Sequence, residues 1–587
     1  MTRSAKTFAA LVAAVPLSVA VATAAGGTAG AARTTPAATS VSITVSSAAA
    51  GNVPAGFVGY SYEKSEVGGD LFTASDTNLV NLFKLVGPSV LRVGGNTVDE
   101  INWSASGSGG SSGAVAPSDV DKLAAFVKAT GWRVIYGINL KTNTTSNAVS
   151  EAKYAAKDLG SSLIAFEIGN EPNFYDTESQ YQSSYNAYVK AIKAALPNAV
   201  FDGPSCGDTT SWLQAFGSAE KNNSLSILSS HEYVGAGSTG TIAEMFASTG
   251  SGGRLTQYDA AFEAASKSTG VSDWRLTETN SFYNGGAANV SNVEAAALWA
   301  LAYQENVAAD GGSGMNYHGG YNIYSPIVYN NNAPTGVEGD YYGQLLWDLG
   351  GTGPLHTASV SGGSGVTAFG IGNNVIVDNE GSSALTATIT LASAATSAKS
   401  YVLTAPSLTS KSVTIAGSGV SVSGAFSPKP ATVSVSGNRL TVSIPAGSAD
   451  LLTNTAKTGG AVEYVGQLSG LCLDDPGSST TSGKQLDINT CTGSAGQLYT
   501  YSTTTKELEG NAGHLCVEVA GSSTALRALV DYATCTGAAN QQWTRNNSDE
   551  FVGVQSGLCM SAIHGATTPG TDVDIYTCNA SGSEIWT

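Results

Sequence analysis

Short apolar runs alternate with amphipathic stretches from about residue 57 to residue 320. The runs occupy residues 57–63, 90–95, 133–140, 164–171, 199–205, 225–234, 274–280 and 314–320. The stretches between them, such as DVDKLAAFVKATG, repeat apolar residues at helical spacing. Eight strand-then-helix units predict a (β/α)8 barrel, which we assign to residues 57–341. Each run is apolar at its start and turns polar at its C-terminal end, where such barrels carry their active sites.

A different pattern follows the barrel. Between residues 342 and 454, segments such as ALTATITLAS and RLTVSIPAGSADLLT alternate apolar and polar residues with a period of two. This alternation, interrupted by Gly, Ser and Asn turns, predicts a β-sandwich. The segment SVSITVSS before the barrel shows the same alternation, so we expect residues 41–56 to join the sandwich. The composition of residues 455–461 indicates a linker.

The last part of the chain repeats three times. Each repeat contains two cysteines at one spacing and a later Gln/Glu-x-aromatic element (QLY, QQW and EIW), and both features recur with the same period. We therefore predict a three-fold repeat domain over residues 462–587. The equal spacing predicts one disulfide in each repeat, namely Cys472–Cys491, Cys516–Cys535 and Cys559–Cys578. Cys206 is left over and is expected to be a buried free thiol.

The N-terminus has the features of a secretory signal. Arg3 and Lys6 precede the apolar segment FAALVAAVPLSVAVATAA, and Ala22-Thr23-Ala24 fits a cleavage site. We assign residues 1–25 to a signal peptide and residues 26–40 to a disordered spacer. A membrane anchor is the alternative, but Pro16 and the small residues at the exit favour a signal. No other window is apolar enough to span a bilayer, so we expect a secreted protein without membrane association.

Composition narrows the possible partners. The 587 residues include 27 Lys+Arg against 45 Asp+Glu, a net charge of −18, which argues against a nucleic-acid partner. The length predicts two to four domains. The five histidines show no close metal-ligand spacing, so neither a metal nor a cofactor is predicted. We expect a monomer.

Two glutamates close the fourth and seventh apolar runs. Glu171 ends IAFEIGNE and Glu278 ends WRLTE. Each alone is compatible with an ordinary strand end. In an eight-stranded barrel, however, both lie at the same mouth, and facing carboxylates suit glycoside hydrolysis, in which one donates a proton and the other attacks the anomeric carbon. That chemistry needs two different pKa values.

The motifs around these glutamates resemble a known family. EIGNEPN with the downstream LTETNSFYNGG resembles the clan of (β/α)8 retaining glycosidases, in which Asn-Glu-Pro on strand four carries the acid/base and a glutamate on strand seven is the nucleophile. GYSYEK, LRVGGNTVDE, YGINL, HEY and NYHGG narrow the resemblance to glycoside hydrolase family 79, the β-glucuronidase and heparanase family. The resemblance covers residues 41–455.

The resemblance implies roles for particular residues. Glu171 would be the acid/base and Glu278 the nucleophile. The implied substrate contacts are Asn170 at the sugar 2-OH, Tyr233 beside the nucleophile, Glu63 and Asn96 at ring hydroxyls, Tyr283, Gly285 and Tyr324 at a glucuronate carboxylate, and His318 in the same pocket. Structural roles as loop aromatics or core histidines are the alternatives for Tyr283, Tyr324, His231 and His318.

These roles predict a secreted retaining exo-β-glucuronidase that acts on polysaccharides or glycoconjugates; the sequence leaves open whether 4-O-methylated glucuronate is also a substrate. One alternative is an endo-acting, heparanase-like member of the family. A catalytically inactive carbohydrate-binding protein is the alternative from a different class.

The C-terminal repeat resembles a ricin-type β-trefoil lectin, which implies a carbohydrate partner. No repeat carries that family's full binding set: the first has Asp474 and Gln497 but Asn489 in place of the aromatic residue, and the second has Glu518 in place of Asp. If one site binds sugar, we expect it to be the first, through Asp474 and Gln497; the alternative is a trefoil without a working site. The predicted fold class is therefore multidomain: a (β/α)8 barrel, an all-β sandwich and a C-terminal β-trefoil.

Overall fold

The computed structural model describes residues 38–587, apart from 394, 457–460, 503–504, 511–514 and 547. The predicted signal peptide, residues 26–37 of the predicted spacer and most of the predicted linker lie outside these residues. The described chain contains a closed parallel barrel, a large antiparallel-rich sheet region and a C-terminal β region with three disulfides. The predicted fold class is confirmed.

The barrel consists of eight parallel strands that pair in chain order and close on themselves. They are Val58–Glu63, Val90–Gly94, Arg133–Ile138, Leu163–Ile168, Phe201–Gly207, Leu225–Ala236, Trp274–Tyr283 and Gly314–His318. Each corresponds to one predicted apolar run. Most of their residues are buried, because helices cover the outside of the barrel and side chains fill its interior.

Helices connect and cover these strands. They are Lys64–Gly68, Thr77–Leu85, Pro117–Thr130, Thr145–Leu159, Glu178–Ala195, Leu213–Glu220, Ile242–Thr249, Arg254–Thr269, Glu294–Ala309 and Gly339–Gly350. Local signals fix several ends: Thr177 and Gln180 form a capping box, and Gly131 ends its helix in the left-handed conformation at φ 80°. Within the described residues, the structure has no helix long and apolar enough to cross a membrane.

The predicted boundary between barrel and sandwich at residues 341/342 falls inside a helix. The last barrel helix, Gly339–Gly350, continues through it, and the next strand begins at Gly353. The helix places Tyr341, Leu345 and Leu346 in the core, at helical spacing. The predicted boundary missed this helix because the alternating pattern of the following strands was extended back over it. Gly351, at φ 88°, ends it. The sheet likewise begins at Thr39, two residues earlier than predicted, and its last strand reaches Ala456, inside the predicted linker.

The sandwich is a 12-stranded sheet with segments from both sides of the barrel. Its strands are Thr39–Val45, Gly51–Val53, Gly353–Ser361, Val366–Ile371, Asn374–Asn379, Leu385–Thr390, Ala395–Thr404, Thr414–Ile415, Ala431–Val433, Val435–Ser436, Arg439–Ile444 and Ser448–Ala456. Thr39–Val45 lies between Gly353–Ser361 and Leu385–Thr390, as its alternating pattern predicts. Residues from both halves of the sheet share one core, which includes Ile43, Val377 and Ile444.

The C-terminal region has its own core and all of the described disulfides. Its strands are Cys472–Asp474, Asp487–Asn489, Tyr499–Tyr501, Leu508–Gly510, Leu515–Val519, Val530–Ala533, Trp543–Arg545, Phe551–Gly553, Cys559–Ala562 and Thr571–Tyr576. The disulfides join the predicted pairs, Cys472–Cys491, Cys516–Cys535 and Cys559–Cys578. The aromatic residues of the repeated QLY, QQW and EIW elements all lie in the core; they are Tyr499, Trp543 and Trp586. The three sequence repeats therefore each contribute an equivalent side chain to the core. Cys206 is free and buried in the barrel.

Candidate active site

A cavity of about 640 Å³ opens at the C-terminal ends of the barrel strands. Every predicted barrel site residue except Asn170 lines it, and Phe174, Gly207, Asp208, Asn284 and Asn322 complete the wall. A larger, shallower groove of about 910 Å³ lies on the sandwich, but serines, threonines and small apolar side chains line it, with Arg439 its sole titratable group. The barrel cavity is therefore the one with the groups for acid–base chemistry.

The two predicted carboxylates face each other in this cavity. Glu171 follows the fourth strand in the left-handed conformation, at φ 46°, and its N–H donates to the Ser205 carbonyl at 2.9 Å. Left-handed backbone is unusual for a residue with a side chain and is typical of functional positions. One carboxylate oxygen of Glu171, one of Glu278 and a ring nitrogen of His231 all lie within 4.8 Å of one another. Carboxyl groups in retaining glycosidases are about 5–5.5 Å apart.

Glu278 is held ionised by the groups around it. Arg92 donates to its Oε2 at 2.7 Å, and the Tyr233 hydroxyl donates to its Oε1 at 2.8 Å. His318 Nδ1 lies 3.6 Å from Oε2. Burial opposes ionisation, but the charges of His318, His231 and Arg92 outweigh it and hold the pKa of Glu278 well below its usual value. Glu278 is thus favoured in its ionised form and held by two donors, and its role as nucleophile stays a prediction.

Arg92 connects the site across the barrel interior. It is fully buried in the second strand, and besides Glu278 it donates to Glu167 Oε1 from Nε at 2.8 Å and to Asn170 Oδ1 at 2.8 Å. The sequence did not identify Arg92 or Glu167 as site residues. A signal was present, because both are charged residues inside strands that are otherwise apolar, and buried charges are nearly always paired.

Asn170 lies directly behind the cavity wall. Its residue surface is 5% exposed, and its contact with Arg92 fixes the orientation of the amide. Its backbone N–H donates to Asp99 Oδ2 at 3.0 Å, and Asp99 also accepts from the Tyr175 hydroxyl at 2.9 Å. Asp99, which the sequence did not single out, therefore organises the turn that carries Asn170 and Glu171. The predicted contact of Asn170 with a sugar 2-OH stays a prediction.

His231 links Glu171 to the arginine. Its Nδ1 lies 3.2 Å from Glu171 Oε1, and its Nε2 lies 3.4 Å from Arg92 Nη2. The ring is fully buried. The backbone of Gly207 closes the other side of Glu171: a Cβ at Gly207 would lie 2.6 Å from the Glu171 carboxyl group. The glutamate therefore has little room to move away from its position.

Glu63 and His318 form the wall that follows the first and eighth strands. Glu63 accepts from the Thr97 N–H at 2.7 Å, from the Thr97 hydroxyl at 2.6 Å and from the Asn96 N–H at 3.2 Å. Burial disfavours charge on His318, but the carboxylates of Glu278 and Glu63 outweigh it and raise the pKa of His318 to about 9. At neutral pH, this wall carries a positive imidazolium.

The predicted carboxylate-binding residues lie together around Tyr233. Its ring centroid is 6.3 Å from that of Tyr283 and 6.0 Å from that of Tyr324. The Gly285 carbonyl accepts from the Ile323 N–H at 2.8 Å, which ties the loop after the seventh strand to the loop after the eighth. These tyrosines line the cavity beside the Glu278 carboxylate. Their role in binding a uronate stays a prediction.

Two groups of side chains in the described residues have donor atoms close enough for a metal ion. The first is Glu171, His231 and Glu278. Here the Arg92 guanidinium already donates to the Glu278 carboxylate, and its positive charge would repel a metal ion. The second contains Glu463 with Cys472 and Cys491, whose sulfur atoms are joined in a disulfide. Neither arrangement fits a typical structural zinc site of four ligands.

The predicted lectin residues have different environments. Asp474 is buried and accepts from Asn489 at 3.5 Å. Gln497 is only 2% exposed, and its amide accepts from the Thr492 N–H at 2.7 Å and donates to the Thr490 carbonyl at 2.9 Å. Gln541 makes the equivalent contacts in the second repeat. The amide of Gln497 therefore holds the turn around Cys491, and its predicted contact with a sugar stays a prediction.

Comparison with known proteins divides the chain into two parts. Residues 461–586 match the family model described as the ricin-type beta-trefoil lectin domain. A β-glucuronidase of Aspergillus niger is 26% identical over 258 residues, which are 37% of this chain and 46% of the relative. A β-glucuronidase of Neurospora crassa is 26% identical over 330 residues, 46% of this chain and 58% of the relative. The chain thus spans about half the length of the curated relatives it matches.

Solved structures show the same fold. A 4-O-α-L-rhamnosyl-β-D-glucuronidase from Fusarium oxysporum covers 70% of this chain and all of its own, with a TM-score of 0.58 and 22% identity. A family 51 α-L-arabinofuranosidase from Bifidobacterium longum covers 71% of this chain and 99% of its own, with a TM-score of 0.55 and 15% identity.

The barrel with its paired carboxylates has the architecture of the (β/α)8 glycoside hydrolases. Within that class, the β-glucuronidase relatives support the resemblance to glycoside hydrolase family 79, and residues 461–586 are a ricin-type β-trefoil lectin domain.

Proposed function

We propose that this chain is a retaining exo-β-glucuronidase that removes terminal β-linked glucuronate from glycans. The observation that carries the proposal is the short distance, within 4.8 Å, between carboxylate oxygens of Glu171 and Glu278. At that separation no water fits between the nucleophile and the anomeric carbon, so the carboxylate itself attacks. An inverting enzyme needs a gap of about 6.5–9.5 Å between its carboxyl groups.

The proposed reaction has two displacements. In the first, Glu278 Oε attacks the anomeric carbon while Glu171 gives its proton to the glycosidic oxygen, and the leaving group departs as an alcohol. In the second, Glu171 takes a proton from water, whose oxygen attacks the anomeric carbon and releases Glu278. Arg92 and Tyr233 keep Glu278 ionised and aimed. Asn170, whose amide Arg92 orients, would donate to the sugar 2-OH.

Recognition of glucuronate is assigned to the wall beside the nucleophile. Tyr283, Tyr324 and the backbone of Gly285 would bind the carboxylate, as in the resembled family. The positive charge of His318, which faces Glu63 and Glu278, lowers the electrostatic cost of bringing an acidic sugar into a cavity lined by glutamates. Glu63, next to His318, and Asn96 would bind ring hydroxyls.

The same proposal covers the setting of the enzyme. The carbohydrate substrate is consistent with the attached lectin domain, whose first repeat, through Asp474, is the proposed sugar contact. Three disulfides fit an oxidising environment and therefore an exported protein, in agreement with the predicted signal sequence. We propose that it acts as a monomer.

A substrate panel tests the proposal. Aryl β-glucuronide should be hydrolysed with the β-anomer of glucuronate as first product, whereas aryl β-glucoside and α-arabinofuranoside should not. Polysaccharide should release monomeric glucuronate from chain ends. Preference for the glucoside would overturn the substrate assignment, an α-anomer would overturn retention, and release of internal oligosaccharides would indicate an endo-acting enzyme instead.

Variants of the two glutamates test their roles. Glu278→Ala should lose all measurable turnover, and a 2-fluoro-glucuronyl fluoride should label Glu278 covalently in the wild type. Glu171→Ala should slow the reaction by about 10²–10⁴-fold, with azide restoring turnover of an aryl glucuronide because azide needs no general base. Glu100→Ala, an exposed glutamate outside the cavity, is the matched control and should behave as wild type. The glucuronyl azide formed by Glu171→Ala should be the β-anomer; an α-azide from Glu171→Ala together with a β-azide from Glu278→Ala would reverse the two roles.

A further inference from the structure

Phe174 is the most solvent-exposed large apolar side chain that the structure describes in the barrel. It is 67% exposed, and it lines the cavity next to Glu171. An aromatic ring left in water forgoes the stabilisation that burial would provide. Exposed apolar surface at the rim of a cavity is typical of a binding surface.

The backbone that carries the ring is fixed by hydrogen bonds. Phe174 ends the short helical turn Pro172–Phe174, and its N–H donates to the Glu171 carbonyl at 3.0 Å. Asn173 donates to the Gly207 carbonyl at 2.8 Å and accepts from the Gly207 N–H at 2.9 Å, which fastens the turn to the end of the fifth strand. Because the backbone is already ordered, only the side-chain torsions of Phe174 lose freedom when a ligand stacks on the ring.

The ring and the proposed acid/base border one point in space. A Cβ built on Gly207 would lie 2.6 Å from the Glu171 carboxyl group and 2.7 Å from the Phe174 ring. The group that protonates a leaving oxygen lies beside the leaving group. Phe174 follows the fourth strand with Glu171, whereas the proposed contacts to the glucuronate carboxylate lie at the end of the seventh strand and on the loops after the seventh and eighth strands. The exposed ring is therefore on the leaving-group side of the scissile bond.

Polar groups surround the ring and restrict what can stack on it. Asp208 follows Gly207 directly, lines the same cavity, and forms an ion pair with Arg254 that is about half exposed. An alkyl chain or a lipid placed here would cover these polar groups without hydrogen bonding to them. A pyranose ring suits both features, because its axial C–H bonds form an apolar face and its hydroxyls donate to carboxylates.

We propose that Phe174 is the stacking platform of the leaving-group subsite and that the leaving group is a pyranose sugar, with Asp208 accepting from one of its hydroxyls. The proposal rests on the proposed function and deepens it: the natural substrate is a glucuronate joined to another sugar. The glycosidic oxygen leaves with the proton of Glu171, and the released sugar departs from the Phe174 face.

The effect of this subsite can be measured by comparing two substrates that carry the same glucuronate but different leaving groups. One is a glucuronyl disaccharide with a pyranose leaving group, and the other is methyl β-glucuronide, which has no ring to stack. Phe174→Ala should lower kcat/KM for the disaccharide by about tenfold and leave the methyl glucuronide within about twofold. Phe174→Tyr should restore the disaccharide value, because the aromatic face remains.

Ile323→Ala is the matched control, since Ile323 is 42% exposed on the loop after the eighth strand and lies outside the cavity wall. It should leave both substrates unchanged. A second readout uses an aryl glucuronide donor with free pyranose as acceptor, and Phe174→Ala should reduce transfer to the acceptor relative to hydrolysis.

Equal losses on both substrates, or no loss on either, would overturn the assignment of Phe174. Failure of the proposed function would look different, because the wild type would then turn over neither glucuronide.

Discussion

One buried guanidinium helps to keep two buried glutamates of the site ionised. Arg92 contacts Glu278, Glu167 and Asn170 and has no solvent exposure. Burial opposes ionisation of both glutamates, yet the pKa of Glu167 is also lowered, because the charges of Arg92 and His231 outweigh that cost. Removal of a partner from such a buried network leaves charge without compensation, which costs about 3–5 kcal/mol.

Arg92→Met should therefore affect pH dependence as well as stability. Loss of the cation raises the pKa of Glu278, and since the reaction needs Glu278 ionised, the acid limb of kcat/KM should move to higher pH. The free energy of unfolding should fall by about 3–5 kcal/mol. The checks are a pH–rate profile on an aryl glucuronide and urea unfolding. Arg92→Lys keeps the charge and should shift the limb less, and an unshifted acid limb in Arg92→Met would contradict the assignment.

A residue of the site could be predicted where its role follows from the neighbouring sequence, and not where it depends on distant contacts. Glu171 and Glu278 could be predicted because the sequence changes there from apolar to polar residues, although the seventh strand, Trp274–Tyr283, continues past Glu278. Arg92 stands out as a charge inside an apolar strand, but its partners and those of His231 could not be predicted, because they lie across the barrel interior and no spacing along the chain encodes that distance. For Gln497, the sequence showed its place in a motif. It did not show that the backbone of Thr490 and Thr492 forms hydrogen bonds with its amide.

At the scale of elements, the end of the fifth strand and the turn after the fourth act as one unit. Asn173 bonds both backbone groups of Gly207, and the Ser205 carbonyl accepts from the Glu171 N–H. The strand pattern predicted both elements but not this junction, because it depends on the absence of a side chain at Gly207. The geometry of the proposed acid/base therefore rests on a glycine in a neighbouring strand.

Gly207→Ala tests this junction. Gly207 does not have a left-handed φ, so alanine is compatible with the backbone and its effect should be steric. The new methyl group would displace the Glu171 carboxyl group and the Phe174 ring, and kcat/KM should fall by about 10²-fold, as expected for a misplacement of about 1 Å.

The control for this change is Gly336→Ala, where a Cβ would meet nothing within 4 Å. It should leave both activity and the thermal midpoint unchanged. Wild-type activity in a folded Gly207→Ala variant would show that the junction does not position Glu171.

At the scale of the whole molecule, the covalent cross-links are distributed unevenly. All three described disulfides lie in the β-trefoil, which has a hydrophobic core of its own, whereas Cys206 in the barrel is free and buried. Each disulfide closes a short loop and contributes about 3 kcal/mol to the stability of the domain that contains it. Resistance to reductant should therefore differ between the two ends of the chain.

Reduction of the full chain should separate two thermal transitions. With dithiothreitol, calorimetry should show the trefoil transition moving to lower temperature, because its unfolded state is no longer constrained. The barrel transition and the turnover of a small aryl glucuronide should stay where they are in the oxidised protein. Loss of turnover in step with the trefoil transition would contradict this independence.

The pairing of the strand Thr39–Val45 has a consequence for how the chain is made. Ile43 pairs with Val360 on one side and Ile389 on the other, so both neighbours are synthesised after the entire barrel. At typical elongation rates, the strand waits on the order of tens of seconds for its partners. Throughout that interval its apolar face, formed by Val41, Ile43 and Val45, lacks its partners in the sheet and is a surface of the kind that holding chaperones bind. For a chain that crosses a secretion channel unfolded, this delay would be favourable. The sheet that makes the chain compact cannot form before the strands Gly353–Ser361 and Leu385–Thr390 have been synthesised.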